Sequence, residues 1–196
     1  EIYQCDWSSD VCSSDLLMPH IYGDTIMLRD FRSEDISVMR SWCNDPEITR
    51  FLGPRYTAPI PWEQTEAELN RYLNGDAGGY NLAVADRETG RYVGQVALFM
   101  IDNVSRKAEL AIVLTPGNLE KGYGSEALKL LLSFGFGQIN LNRIWLTVNG
   151  NNHRAIHVYE KAGFVREGVF RQDRFINGRY EDTVVMSILR EDYKRV

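Results

Sequence analysis

Glu120-Lys121-Gly122-Tyr123-Gly124-Ser125-Glu126-Ala127 lies where an irregular stretch becomes an apolar-periodic helix, and its reading decides the fold. The residues upstream, Lys107–Leu114, read as a strand broken by Thr115-Pro116-Gly117-Asn118; those downstream, Gly124–Phe136, place Ala127, Leu131 and Phe134 on one stripe with Leu128 and Leu132 beside it. A strand, a glycine-rich loop and a buried helix in that order form a cradle for an anion. Glycines let backbone N–H groups approach a ligand closely, and a helix start presents unpaired N–H groups with partial positive charge.

Glycines before a helix also occur where only backbone geometry needs them, so the ligand has to come from context. The spacing Gly122-x-Gly124-x-x-Ala127 formally fits a dinucleotide fingerprint, but several residues separate Leu114 from Gly122, and the next strand ends in Asn149 rather than an acid. A nucleotide P-loop needs Gly-Lys-Ser/Thr, whereas Gly124 is followed by Ser125-Glu126. Neither reading holds.

Working outward, Thr25–Asp30 reads as a first strand and Ser33-Glu34-Asp35 as an N-cap with acids in the first turn of a helix through Trp42. Asp45-Pro46 and Pro54, Pro59 and Pro61 punctuate the chain before a second helix, Trp62–Leu73. Tyr80–Asp86, Tyr92–Ile101 and Lys107–Leu114 form an antiparallel meander. Beyond the glycine-loop helix, Arg143–Asn149 alternates as a strand and Asn152–Ala162 is a helix ended by Gly163. Phe164–Phe175 and Arg179–Leu189 close the chain as a hairpin around Asn177-Gly178, a type I′ dipeptide. The order β-α-α-β-β-β-α-β-α-β-β predicts a mixed α/β fold with helices on both faces of the sheet.

Residues 5–16 resemble the in-frame translation of a sequencing-library adapter, so residues 1–17 are set apart as an artefactual or disordered leader, with Met18 as the expected start and residues 18–196 as one domain. The formal charge of −5 arises from 22 basic and 27 acidic residues, and four of the acids (Glu1, Asp6, Asp10, Asp15) lie in the leader. The remainder is nearly neutral, which argues against nucleic-acid binding through bulk charge. Only Cys43 lies outside the leader, excluding a disulfide framework or a cysteine-based metal site. No apolar run reaches the roughly 18–20 residues of a membrane span. A cytoplasmic location is the expectation, and homo-oligomerisation is left open.

The segment Asn149-Gly150-Asn151-Asn152-His153-Arg154-Ala155-Ile156-His157-Val158-Tyr159-Glu160-Lys161-Ala162-Gly163-Phe164 closely resembles the second cofactor motif of the GNAT superfamily of N-acetyltransferases. Residues 106–136 then resemble that superfamily's acetyl-CoA motif, and the element order from Thr25 to Leu189 matches as well. Phe175-Ile176-Asn177-Gly178-Arg179-Tyr180-Glu181-Asp182, with Met186, further resembles the branch holding ribosomal-protein N-terminal and spermidine acetyltransferases. One departure is Leu119, where members often carry Gln or Arg.

The resemblance implies the GNAT fold and direct transfer of an acetyl group from acetyl-CoA to an amine, without an acyl-enzyme, so Cys43 needs no role. It implies that the backbone of Ile112, Val113 and Leu114 pairs with the pantetheine amides, and that the N–H groups of Lys121, Gly122, Tyr123, Gly124 and Ser125 hold the pyrophosphate. Lys121 reads either as a phosphate contact or as a solvated lysine. Asn152 would cap its helix and also touch the pantetheine arm.

Tyr159 takes the position of the acid that protonates the departing thiolate; the competing reading is a packed tyrosine whose hydroxyl is satisfied by backbone. Glu109, sharing a strand face with Ala111 and Val113, is the candidate base, set against a glutamate paired with Arg106 or Lys107. His153 and His157, four apart, lack the further ligands a metal needs, and no metal is expected.

Acceptor choice should lie in residues 42–80 and around 171–182. The resemblance points first to a protein or peptide N-terminus, and second to a polyamine or other small amine, aminoglycosides included. Asp45, Glu47, Glu63, Glu66 and Glu68 would supply an acidic lining for the second. A non-catalytic acyl-CoA-binding regulatory domain is the alternative of another class, motivated by Leu119.

Overall fold

The computed structural model describes residues 20–193. The leader therefore lies outside the described residues. The elements are β1 (Ile21–Tyr22), β2 (Ile26–Arg29), α1 (Ile36–Cys43), α2 (Pro46–Thr49), α3 (Trp62–Leu73), β3 (Tyr80–Asp86), β4 (Tyr92–Asp102), β5 (Lys107–Leu114), α4 (Tyr123–Ser133), β6 (Arg143–Asn149), α5 (His153–Lys161), β7 (Val165–Ile176), β8 (Arg179–Leu189) and α6 (Arg190–Tyr193). The predicted order is recovered, with three additions: β1, α2 and α6. The signal for α2 was present in the sequence. Asp45 caps it by accepting the Glu47 N–H at 2.9 Å, Pro46 occupies its first turn and Glu47 adds an acid there, so the dipeptide read as a break is a helix start.

The eight strands form one sheet in the order β1-β2-β3-β4-β5-β6-β8-β7. Every neighbouring pair is antiparallel except β5 and β6. A parallel pair needs a crossover, and α4 supplies it. Adjacent residues of one strand show both faces covered: Val84 packs in a core with Ala127, Leu128, Leu131 and Leu132 of α4 and Ile156 of α5, while Ala83 packs in a second core with Met39, Trp42 and Cys43 of α1 and Leu69 of α3.

A buried charge ties α1 to the sheet. Arg29, 2% exposed on β2, donates from Nη1 and Nη2 to the two carboxylate oxygens of Asp35, each at 2.8 Å, and to the Gly90 carbonyl at 3.0 Å. Asp35 also accepts the Arg32 N–H at 2.9 Å. Bidentate pairing of this kind is what allows two ions to leave water together. Asp35 stands at the N-cap position of α1, but its carboxylate is turned to Arg29 and the Arg32 N–H and makes no cap hydrogen bond to the helix; Ser33–Asp35 form a short 3-10 turn ahead of α1.

The closing hairpin turns at Asn177 and Gly178 with φ of +49° and +79°, the pair of positive values a type I′ turn requires. Its outer strand, β7, is bulged between Phe170 and Arg174, where Gln172 adopts φ +53° and donates its N–H to Asp182 Oδ1 at 2.8 Å. That bulge re-aims the residue following it, Arg174.

Candidate active site

The site arises from an incomplete strand pair. β5 and β6 are paired only through Lys107–Arg143, Ala108–Ile144 and Glu109–Trp145, although β5 continues to Leu114 and β6 to Asn149. Past Glu109 the strands diverge, so the β5 edge facing β6 offers its backbone groups to something else. A cleft of about 520 Å³ opens there, within the range of small-molecule sites. Its walls are Glu109–Leu114 of β5, Leu119, Glu120, Gly122, Gly124 and Ser125 around the glycine loop, Thr147 and Val148 of β6, and Asn152, Ala155, Val158 and Tyr159 of α5. Ile112, Val113 and Leu114 line it and are half-buried.

At one end the glycine loop starts α4. Thr115 donates both its N–H (2.9 Å) and its hydroxyl (3.1 Å) to the Val93 carbonyl, and Asn118 Nδ2 donates to Thr115 Oγ1 at 2.7 Å, which pins the loop to the sheet. Gly122 precedes the helix with φ +83°, a left-handed value that disfavours any side chain. The first intrahelical bond runs from the Glu126 N–H to the Gly122 carbonyl, 3.1 Å, leaving the N–H groups of Tyr123, Gly124 and Ser125 without a partner among the described residues. These groups and the open β5 edge fit an extended ligand with a phosphate group, as acetyl-CoA is.

Two side chains of this loop lie outside the cleft. Lys121 does not line the cleft: its Nζ donates to Asn118 Oδ1 at 3.2 Å, and the side chain is exposed. The Tyr123 hydroxyl lies against Asp86 Oδ2 at 3.3 Å, also outside the cleft. A cation that the sequence reading missed stands nearby: Arg154, on the first turn of α5, pairs with Glu120 at 3.6 Å, and both line the cleft.

Asn152 caps α5 by accepting the Ala155 N–H at 3.2 Å and lines the cleft. One turn further along, Tyr159 is 8% exposed, shares the inward face with Ile156 and packs its ring 5.7 Å from Phe164. Among the described residues nothing hydrogen-bonds its hydroxyl, so the alternative of a backbone-satisfied tyrosine is not what the structure shows. Burial alone pushes its phenol up to about 12. The group therefore stays protonated at neutral pH.

At the other end, where the strands part, Glu109 lines the cleft with Phe99, its partner on β4. It forms no ion pair with Arg106 or Lys107; Lys107 pairs instead with Asp102 at 3.8 Å. Burial raises the Glu109 carboxyl above the usual carboxylate range, and the positive charge of Arg174 partly offsets that shift. Arg174, also unforeseen in the sequence, reaches from β7 to donate from Nη1 to the Leu52 carbonyl at 3.1 Å. With Glu47, Ile48, Phe51, Leu52 and Gly53 it closes this end of the cleft, inside both segments expected to govern acceptor choice.

Of the five acids read as an acidic lining, only Glu47 lines the cleft. Asp45 caps α2, Glu63 and Glu66 are exposed on α3, and Glu68 is tied to Arg55 and to the Tyr72 hydroxyl. Helix geometry explains the difference: α3 points its buried positions, Thr65 and Leu69, at the sheet and turns its acids to solvent. Cys43 is buried beside Thr65, away from the cleft. His153 and His157 are exposed, and no cluster able to hold a metal occurs among the described residues. No helix among the described residues is long and apolar enough to cross a membrane.

Comparison with known proteins agrees with this geometry. Residues 25–165 match the family model described as "Acetyltransferase (GNAT) domain". Spermidine N(1)-acetyltransferase of Escherichia coli K12 is 38% identical over 180 residues, covering 86% of this chain and 88% of that protein. YdaF of Bacillus subtilis, a candidate ribosomal N-acetyltransferase, is 30% identical over 105 residues, 54% of this chain and 57% of that one. Among solved structures, spermidine N-acetyltransferase from Vibrio cholerae in complex with CoA and spermine superposes with a TM-score of 0.77 at 29% identity, covering 87% of this chain and 98% of that one.

Proposed function

The chain belongs to the acetyltransferase (GNAT) family and is an acetyl-CoA-dependent N-acetyltransferase, and we propose that its acceptor is a linear polyamine of the spermidine class. The protein N-terminus, which the sequence reading put first, gives way to the second choice. One observation carries this: the likeness to spermidine acetyltransferases extends over most of both chains, while that to a candidate ribosomal enzyme covers little more than half. The cleft is compatible with it. Glu47 and Glu109 stand among Phe51, Leu52 and Phe99, a mixture of carboxylate and apolar wall suited to ammonium groups separated by methylenes. The non-catalytic alternative is set aside, since the relatives named above are enzymes.

The chemistry assigns each residue a task. Acetyl-CoA supplies an acetyl group already activated as a thioester. The open edge of β5 and the N–H groups of residues 123–125 orient that co-substrate, and a β5 backbone N–H faces the charge that develops on the carbonyl oxygen. An ammonium acceptor must lose a proton before it can attack, and Glu109, directly or through water, receives it. Its carboxyl, raised by burial and partly restrained by Arg174, is a better base than a solvated glutamate. Tyr159 holds a proton for the departing sulfur, and Asn152 steadies the helix that carries it.

The test is CoA thiol release, followed with a thiol reagent, using spermidine, spermine, an aminoglycoside and peptides with free N-termini as acceptors. The proposal expects kcat/KM for spermidine or spermine to exceed that for every peptide by at least about tenfold, roughly 1.4 kcal/mol of transition-state discrimination. A peptide preferred over both polyamines would overturn the acceptor assignment while leaving the acetyltransferase intact.

A further inference from the structure

We infer that Arg174 is a positioning residue for acetyl transfer, a latch from β7 that fixes the acceptor wall at Phe51–Gly53 and holds its charge over the base. The inference rests on the reading of Glu109 as that base. It begins with the bulge in β7. A strand of regular alternation would leave Arg174 as one more charged residue on an outer strand whose side chains are otherwise largely exposed. The bulge between Phe170 and Arg174, kept by the Gln172 N–H bond to Asp182, instead accompanies a side chain only about one-fifth exposed. That side chain spans 122 residues of sequence to reach the Leu52 carbonyl.

Among the described residues the segment it holds makes no backbone hydrogen bond to the sheet, and Leu52 packs against the second core. Phe51 and Leu52 follow α2 through local backbone bonds to Ile48 and Thr49, and Gly53 begins a short 3-10 turn at Pro54–Tyr56. A carbonyl in such a connection, bound by a charged donor from the opposite wall, sets the width of the acceptor end. Glu47 and Ile48, on the helix just before it, line the same cleft.

The second task is electrostatic. The charged and titratable groups that line the cleft with Glu109 are Arg174 from β7, Glu47 from α2, Glu120 of the glycine loop, and Arg154 and Tyr159 from α5; its strand partners on β4 and β6 are the uncharged Phe99 and Trp145. Glu47 is engaged by Arg50 at 2.9 Å. Opposite Arg174 on β8, Glu181 is engaged by Asn149 Nδ2, and Asp173 lies 4.0 Å from Arg174 Nε. Arg154, the other cation of the cleft, is paired with Glu120, which leaves Arg174 as the cation whose charge acts on Glu109. Without it, burial of Glu109 is opposed by nothing, so its pKa rises and the base is protonated at higher pH.

Two variants separate the tasks. Arg174→Ala removes latch and charge together; Arg174→Lys keeps the charge but loses the planar, multi-donor reach that binds a carbonyl from this distance. In Arg174→Ala the acidic limb of kcat/KM moves to higher pH by about one unit, and KM for the amine rises about tenfold, the loss of one hydrogen bond to a charged group. In Arg174→Lys the limb returns towards its wild-type position while the raised KM persists. Affinity for acetyl-CoA, measured calorimetrically, stays within twofold in both. A Glu109→Gln control distinguishes the two levels: if it leaves the acidic limb in place, the base assignment fails and only the KM effect tests the latch. Unchanged KM and unchanged acidic limb in Arg174→Ala would overturn the inference, as would equal loss of acetyl-CoA affinity in both variants.

Discussion

Replacing Tyr159 by Phe removes one oxygen at the place where the account puts the acid. The structure sets the expected size of the effect. A phenol held at about 12 stands some 3.5 units above a free thiol, about 8.5, so full proton transfer to the sulfur is uphill by about 5 kcal/mol. Such an acid helps only as negative charge builds on the departing sulfur, which places its contribution at the low end of general acid catalysis, about 100-fold in kcat. Stability behaves differently. The hydroxyl has no hydrogen-bond partner among the described residues and the ring keeps its contact with Phe164, so the variant should unfold within about 0.5 kcal/mol of wild type. The pH dependence follows from the sign of the shift: because burial disfavours the phenolate, the acid remains protonated, and the ratio of wild-type to variant kcat should be constant from about pH 7 to 10. Steady-state thiol release across that range, with calorimetric titration of acetyl-CoA, supplies the readouts. A variant that keeps more than half of wild-type kcat would refute the assignment. A ratio that collapses near pH 9 would refute the pKa argument even if the residue matters.

Other perturbations read out separate parts of the site. Glu109→Gln should lower kcat/KM by about 100-fold and abolish the acidic limb, since activity in the wild type is lost as pH falls through the raised Glu109 pKa; a retained limb would point to another base. Gly122→Ala forces a side chain into φ +83° and should cost about 1–2 kcal/mol of stability in urea unfolding. Gly124→Ala differs: its Cβ would lie 3.4 Å from Leu114 Cδ1, an ordinary contact, so stability should hold while acetyl-CoA affinity falls. Equal effects of the two on stability would contradict that distinction. Asp35→Ala strands the buried Arg29 guanidinium and should destabilise by about 3–5 kcal/mol, measurable by urea unfolding, against near-neutrality for an exposed acid such as Glu63.

Local signals in the sequence located most elements, because each was written where it acts. Asn177-Gly178 announced its turn, Asn152 its cap, Gly163 its helix end and the Gly122–Gly124 loop its helix start. What escaped is non-local. Nothing in Lys107–Leu114 or Arg143–Asn149 says that they pair over only three residues, yet that divergence makes the cleft. Arg174 was hidden because period-two alternation assigns it a face, whereas a bulge decides where it points. Lys121 stayed open between a phosphate contact and a solvated lysine, because adjacency to a phosphate loop in sequence does not say that Asn118 will take its ammonium. The acids of α3 were counted by charge, and charge says nothing about which helix face is turned to solvent.

The central claim is that acetyl-CoA lies where β5 leaves β6. Hydrogen exchange followed by mass spectrometry, with and without CoA, tests it directly. The account predicts added protection confined to the amides of residues 110–114 and 122–125 and the first turn of α5, with the amides of β2 and β3 unchanged. Tight CoA binding without protection in either the β5 edge or the glycine loop, or with protection centred elsewhere, would contradict it.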